Sequence, residues 1–215
     1  MKRITVFAGH YGSGKTNIAV NYSLYLSSLG IDTVLCDLDI VNPYFRAVDS
    51  QNELREKGVG IICSRFANSS VDLPSLPAEL YSITDDKSKN FVLDIGGDDR
   101  GAYVLGRLAP KIIEENNYEM LLVINKFRPL TRTPEDVLTV KREIELSSGI
   151  AFTGIINNSN LGDETLEDDV LSSMEYAERV SKLASLPLLA TTYSNKLSLN
   201  AENSFPISLQ RKPID

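Results

Sequence analysis

Short apolar runs alternate along the chain with longer segments in which apolar residues recur at helical spacing. The short runs predict buried strands, and the longer segments predict amphipathic helices. Because strands and helices alternate, we expect a doubly wound α/β fold whose mainly parallel sheet is covered by helices on both faces. The predicted strands lie near residues 4–8, 32–36, 59–63, 91–94, 120–124, 151–156 and 188–190.

The alternation ends near residue 195, and it contains neither an internal repeat nor a linker. We therefore predict one domain over residues 1–195, followed by an irregular C-terminal segment or surface tail over residues 196–215. With 215 residues and 42% hydrophobic content, the chain is large enough to bury a core of its own.

A glycine-rich turn stands between the first predicted strand and the first predicted helix. Residues 9–16 read Gly-His-Tyr-Gly-Ser-Gly-Lys-Thr, which matches the phosphate-loop pattern G-x-x-x-x-G-K-[ST] in its strand–turn–helix context. Glycines let backbone N–H groups surround phosphate oxygens, and the helix N-terminus adds a positive potential. Lys15 is predicted to reach the β- and γ-phosphates, and the Thr16 hydroxyl to bind Mg²⁺. The predicted nucleotide contacts in this loop are Gly12, Ser13, Gly14, Lys15, Thr16 and Asn17.

Polar residues follow several predicted strands, at the edge where a parallel sheet binds its ligands. Asp94 is expected to hold Mg²⁺ through bound water, and Gly97 to donate a backbone N–H to the γ-phosphate. Asp37 and Asp39 follow another strand. One of these carboxylates would orient an attacking or metal-bound water, and the other would hold Lys15 or the loop. The structural alternative is that these aspartates cap or solvate turns.

Together these motifs resemble the MinD/ParA group of P-loop ATPases, within the larger class that also contains the signal-recognition proteins. The resemblance covers about residues 3–195. It implies a P-loop NTPase fold, ATP binding with Mg²⁺, slow hydrolysis and often an ATP-bridged homodimer. It also implies that Asp39 positions the attacking water and binds near the metal, and that Asn157 or Asn158 reads adenine. The residues that carry it are the phosphate loop, Asp37-Leu38-Asp39, Asp94-Ile95-Gly96-Gly97 and Asn157.

One loop position departs from the pattern of that group. Members with the deviant loop carry a lysine directly after the first glycine, which reaches across a dimer to the second nucleotide. This chain has His10 there. An unperturbed histidine is mostly neutral at pH 7, so a homodimer is possible but would lack the usual loop lysine. His10 is either a protonated substitute for that lysine or a variable position that faces solvent.

Residues 125–128 affect the choice of base. Guanine recognition usually needs Asn-Lys-x-Asp, whereas the chain reads Asn125-Lys126-Phe127-Arg128. Because a guanidinium cannot accept a hydrogen bond from guanine, adenine is favoured. Arg100 is a further candidate, for stabilising charge in the transition state.

Composition and charge exclude several classes of function. The net charge is −7, from 22 Lys and Arg against 29 Asp and Glu, so a nucleic-acid partner is not expected. Residues 204–208 have too few cations for a membrane-binding helix, no apolar run approaches membrane-spanning length, and the chain begins with a strand instead of a signal peptide. We therefore expect a cytoplasmic protein without a membrane partner. Cys36 and Cys63 lack metal-ligand spacing and are interpreted as buried free thiols.

Two main classes of function remain. The first is an ATPase whose nucleotide state regulates a protein partner of unknown identity. The second is an ATP-dependent small-molecule ligase or kinase, similar to dethiobiotin synthetase or CobB-type enzymes, which would need an acceptor pocket beside the γ-phosphate. A module that binds ATP without hydrolysing it is a third possibility. The first class is favoured, because the sequence identifies no acceptor.

Overall fold

A computed structural model describes residues 1–38, 48–63, 78–96, 99–199 and 202–209 of the chain. The strands are β1 Ile4–Ala8, β2 Thr33–Asp37, β3 Val59–Cys63, β4 Asn90–Asp94, β5 Tyr118–Ile124, β6 Gly154–Asn157, β7 Leu188–Ser194 and β8 Ser204–Ile207. The helices are α1 Lys15–Ser28, α2 Val48–Glu56, α3 Ala78–Asp85, α4 Asp99–Glu115, α5 Pro134–Ser148 and α6 Glu167–Ala184. Within this described part of the chain, no helix is long and apolar enough to cross a membrane.

The strands form one sheet in the order β3-β2-β4-β1-β5-β6-β7-β8. Every neighbouring pair in this sheet runs parallel. β1 lies between β4 and β5, so the glycine-rich turn that follows β1 opens among several strand ends. β2 and β4 pair in register up to Asp37 and Asp94. The two aspartates that end these strands are therefore direct neighbours.

Helices cover both faces of the sheet. Along β1, Ile4, Val6 and Ala8 belong to the apolar core under α3, α4, α5 and α6, whereas Phe7 belongs to the core under α1 and α2. This alternation follows from the two-residue period of a strand. Strands buried on both faces are continuous apolar runs in the sequence. The prediction of a doubly wound, parallel α/β fold is confirmed.

The expectation of an irregular C-terminal segment is wrong for residues 204–207. These residues form β8, which pairs in parallel with β7. Helix α1 holds the strand: the Asn21 amide donates to Ser208 O at 3.0 Å, and Ser208 N donates back to Asn21 Oδ1 at 2.8 Å. Tyr25 packs edge-to-face on Phe205. The strand lacks a hydrophobic signal because it is short and carries Pro206, which an edge strand tolerates.

Candidate nucleotide-binding site

The turn between β1 and α1 is shaped by its glycines. Gly12 and Gly14 have φ angles of +75° and +87°, in the left-handed region that other residues rarely adopt. A Cβ on Gly14 would also lie 2.1 Å from Nδ2 of Asn158, so no larger residue fits there. The turn leads directly into α1, whose first residue is Lys15. A helix N-terminus directs backbone N–H groups outward and attracts anions.

The Lys15 side chain lies within this turn. It is 4% exposed, and Nζ donates to the backbone oxygen of His10 at 3.3 Å. The N–H of Ser13 donates to the same oxygen at 3.1 Å. The loop therefore folds around the ammonium group. A buried ammonium inside a turn of backbone N–H groups is suited to binding phosphate.

Ser13 stands at a loop position where the motif allows any residue, and its side chain gives separate evidence for a bound anion. Its side chain is buried, and Oγ has no hydrogen-bond partner among the described residues. A buried hydroxyl without a partner costs about 1–3 kcal/mol, so its presence needs an explanation. A phosphate oxygen bound in the loop would supply that partner. The residues present thus fit the anion that the motif predicts.

Thr16 and Asp94 meet directly beside the loop. Thr16 Oγ1 donates to Oδ2 of Asp94 at 2.5 Å, and the aspartate is 2% exposed at the end of β4. A hydroxyl and a carboxylate are oxygen ligands of the kind that Mg²⁺ prefers. These two residues therefore fit the predicted metal site.

Asp37 lies next to Asp94 and is 5% exposed. As register partners on parallel strands, the two aspartates leave the sheet on the same face, which α1 covers. Neighbouring buried carboxylates repel each other unless a cation lies near them. Lys15, the first residue of α1, is the cation that begins the helix on that face of the sheet. Asp39 and Gly97 lie outside the described residues, and their roles stay predictions.

Asn157 has an internal role in the structure. Its side chain is fully buried, and Nδ2 donates to Ser173 Oγ of α6 at 2.9 Å, on the face opposite α1. Its Oδ1 accepts hydrogen bonds from the N–H and the hydroxyl of Ser159. The amide therefore holds the turn after β6 against α6, and it does not face the phosphate loop.

Asn158, by contrast, contacts the loop. Its Nδ2 donates to Ser13 O at 2.7 Å, and its Oδ1 accepts from the Thr192 hydroxyl at 2.6 Å. The side chain is 2% exposed and ties the loop to β7. Of the two predicted base contacts, Asn158 is thus the one that adjoins the loop, and its amide is engaged with Ser13 and Thr192.

A small cavity opens beside Asn158, at the carboxyl ends of β6, β7 and β8. Its walls are formed by Asn158, Asn160, Gly162, Thr165, Thr192, Tyr193, Ser194, Ile207 and Leu209. Neither Asn160 nor residues 192–194 can be singled out from the sequence: Asn160 follows β6 as polar residues follow many strands, and residues 192–194 form the end of β7. The cavity shares Asn158 with the phosphate loop and has room for about one water molecule.

Asn125, the two cysteines and Arg100 were the other residues that the sequence singled out. Asn125 is buried, and its amide joins two turns: Oδ1 accepts from Phe127 N at 3.0 Å, and Nδ2 donates to Asn160 O at 3.2 Å. Burial, with smaller effects from Cys63 and Asp37, raises the pKa of the Cys36 thiol, which therefore stays protonated. Neither cysteine forms a disulfide within the described residues; Cys36 is buried, as predicted, whereas Cys63 is only half-buried. Arg100 lies at the start of α4, and the structure describes only its backbone.

No protein-family model and no curated protein matches the sequence. The fold does match solved structures. FtsY from Mycoplasma mycoides matches at 17% identity and a TM-score of 0.54, over 90% of this chain and 60% of that chain. Cell division protein FtsY from Thermotoga maritima matches at 16% identity and a TM-score of 0.59, over 89% and 61%. Signal recognition particle receptor FtsY from Elizabethkingia anophelis, in complex with GDP, matches at 16% identity and a TM-score of 0.52, over 90% and 58%.

The chain therefore shares the fold of these FtsY structures. The assignment to the MinD/ParA group stays a hypothesis. At these identities the similarity shows the fold alone. The chain spans about three fifths of the length of the FtsY chains it matches.

Proposed function

We propose that the protein binds ATP with Mg²⁺, hydrolyses it slowly, and regulates a protein partner through its nucleotide state. The observation that carries this proposal is the meeting of Lys15, Thr16 and Asp94 at one glycine-rich loop. A triphosphate needs a buried cation, oxygen ligands for its metal, and N–H donors at a helix N-terminus. This loop supplies all three.

The residues divide the chemistry among them. Lys15 and the loop bind the phosphates, and Thr16 and Asp94 hold Mg²⁺, which neutralises phosphate charge when bound. Asp37, beside Asp94, holds Lys15 or a metal-bound water. Asp39, two residues further along, orients the attacking water and is not needed for binding. Gly97 donates its N–H to the γ-phosphate.

The cavity beside Asn158 supports adenine as the base. Guanine presents its N1–H and its amino group as donors, which the Asn-Lys-x-Asp motif satisfies with a carboxylate. None of the described residues that line the cavity is Asp or Glu. A base bound against Asn160 and residues 192–194, with Asn158 between it and the loop, would need this cavity to widen, because it now has room for about one water molecule. Because one structural neighbour is a GDP complex, GTP is the competitor to test.

Exposed apolar side chains near the loop support a protein partner. Tyr11 in the loop and Leu130 after β5 are each 61% exposed, and Leu161 after β6 is 47% exposed. All three lie at the carboxyl edge of the sheet, where the nucleotide would bind. Exposed apolar side chains beside a ligand site are candidates for docking a protein. They favour a partner-regulating ATPase over a ligase or kinase.

The test is calorimetric titration of Mg·ATP and Mg·GTP into the wild type and the Lys15→Ala variant. The wild type should prefer ATP by about tenfold or more, and Lys15→Ala should weaken ATP binding by about 10–100-fold, because a charge-assisted contact is lost. Lys182→Ala, an exposed position in α6, is the matched control and should bind like the wild type. Unchanged ATP affinity in a folded Lys15→Ala variant would contradict nucleotide binding by this loop. A preference for GTP would contradict the choice of adenine.

Turnover distinguishes the two classes of function. Phosphate release by the protein alone should be slow and should rise when the protein partner is added. Nucleotide consumption that requires a small-molecule acceptor would instead favour the ligase or kinase class.

A further inference from the structure

Arg128, which follows β5, contacts the phosphate loop. Its Nε donates to the backbone oxygen of Gly12 at 2.8 Å. The guanidinium also packs against this glycine, because a Cβ built there would lie 3.2 Å from Nε and 3.4 Å from Cζ. The two residues are 116 positions apart in the sequence, so only the pairing of β1 with β5 brings them together.

The peptide group that Arg128 holds lies inside the loop. Gly12 O and Ser13 N–H belong to one planar peptide unit and point in opposite directions. While the oxygen accepts from Arg128, the N–H donates to His10 O, which also accepts from Lys15 Nζ. Arg128 is thus one end of a series of hydrogen bonds that reaches Lys15. A glycine such as Gly12 has little conformational preference of its own, so an external bond is needed to fix this peptide.

The charge of Arg128 adds to that of the loop. Its side chain is exposed, and no ion pair within the described residues involves it. A guanidinium beside a phosphate-binding turn raises the local positive potential. Lysine could supply a similar charge, but it has a methylene group where arginine has Nε.

We propose that Arg128 is a positioning residue of the phosphate loop. It orients the Gly12–Ser13 peptide and, through His10, the ammonium of Lys15, for nucleotides that carry a β-phosphate. This inference rests on the proposed binding of nucleotide by residues 9–16. It adds a residue outside the motif to the machinery of that site.

The test compares Arg128→Gln and Arg128→Lys with the matched control Arg132→Gln. Arg132 is exposed, follows the same strand, and makes no side-chain hydrogen bond or ion pair within the described residues. In calorimetry with Mg·ATP and Mg·ADP, both Arg128 variants should bind each nucleotide about tenfold more weakly, the effect of one charge-assisted hydrogen bond. The ratio of ATP to ADP affinity should not change, because the loop holds the phosphates that both nucleotides share. Arg132→Gln should behave like the wild type.

A loss confined to ATP would overturn the proposal, because it would mean a direct contact with the γ-phosphate. Wild-type affinity in Arg128→Lys would also overturn it, because charge alone would then suffice.

Amide hydrogen exchange at Ser13, measured without nucleotide, tests the contact separately. Exchange should be faster in both Arg128 variants and unchanged in Arg132→Gln. Equal exchange in all four proteins would contradict the positioning role. A wild type that binds no nucleotide would count against the proposed function only, because the exchange measurement still decides the Arg128 contact.

Discussion

Three charged side chains at the phosphate loop are almost fully buried: Lys15, Asp37 and Asp94 are 4%, 5% and 2% exposed. Removing a charge from water costs several kcal/mol unless partners compensate it. The buried groups, one ammonium and two carboxylates, leave a formal charge of −1, which opposes the binding of a free polyphosphate; the exposed Arg128 at Gly12 adds one positive charge at the surface of the loop. A divalent cation beside Asp94 would reverse that sign. The charges of the site therefore favour a nucleotide that arrives with Mg²⁺, in agreement with the oxygen pair formed by Thr16 and Asp94.

Asp39 allows binding to be separated from turnover. If its carboxylate orients the attacking water, Asp39→Ala should keep ATP affinity and lose turnover by about 100-fold or more. Phosphate release measures turnover, and calorimetry measures affinity. Asp32→Ala, an exposed position just before β2, is the matched control. Equal turnover in Asp39→Ala and the wild type would move the role to Asp37 or away from this turn.

Individual site residues differed in how well the sequence could predict them. Lys15, Thr16 and Asp94 fit their predicted places because phosphate and Mg²⁺ chemistry dictates residue types at fixed spacings. Asn157 and Asn158 could not be told apart, since a step of one residue moves a side chain from the α6 face to the loop. Arg128 carries no local signal at all. Its contact depends on the order of the strands in the sheet.

At the amino edge of the sheet, opposite the site, an ion-pair cluster joins β1 to two helices. The Arg3 side chain is 7% exposed, and its guanidinium donates to both carboxylate oxygens of Glu115 at the end of α4. It also donates to Ile83 O of α3 at 2.8 Å. Lys87 donates to the same Glu115 carboxylate. This cluster fixes the start of β1, and β1 in turn places the phosphate loop.

Glu115→Gln should therefore destabilise the fold by about 1–3 kcal/mol in denaturant unfolding at pH 7. The hydrogen bond from Arg3, with a further one from Lys87, lowers the pKa of Glu115 below its usual value of 4.5. Because the folded protein then binds fewer protons than the unfolded chain, this contribution is present above about pH 5 and is lost as the pH falls through the lowered folded-state value. The gap between wild type and variant should shrink accordingly in acid.

Asp85→Asn is the control for that measurement. Asp85 pairs with Lys111, but both side chains are more than half exposed, at 59% and 58%, so the variant should change stability much less than Glu115→Gln does. A Glu115→Gln variant as stable as the wild type at pH 7 would contradict the role given to the cluster.

Burial explains why most strands could be predicted from the sequence and why β8 could not. β1, β4 and β5 are buried on both faces, so the demand for apolar residues appears at nearly every position. β8 lies at the edge and depends on Asn21 and on packing between Tyr25 and Phe205. Contacts of that kind come from tertiary structure and leave no periodic pattern.

The molecule as a whole separates its fold from its chemistry. A fold shared with FtsY structures at 16–17% identity shows that an architecture can persist while most residues change. We expect base preference and the choice of partner to depend instead on a few side chains at the carboxyl edge. Substitutions of those side chains are therefore the direct test of base preference and partner choice.

Net charge and the residue at position 10 both affect the association of two copies. The net charge of −7 makes two copies repel unless specific contacts compensate, and His10 stands where an ATP-bridged dimer of the MinD/ParA type would place a lysine. In the structure His10 Nδ1 lies 2.9 Å from the backbone oxygen of Tyr11, so the ring is directed into its own loop. We therefore predict that hydrolysis needs no cation from a second copy, and that any ATP-dependent dimer is weak or uses another surface.

Light scattering of the Asp39→Ala protein with Mg·ATP, which should hold the bound state, should show mainly monomer. Phosphate release by the wild type should rise linearly with protein concentration, because each copy acts alone. His10→Ala should keep most of the turnover, as should Tyr11→Ala, the matched change at the neighbouring loop position. A tight ATP-dependent dimer, together with turnover that His10→Ala abolishes and Tyr11→Ala does not, would contradict the prediction. In that case His10, protonated, would take the place of the missing lysine.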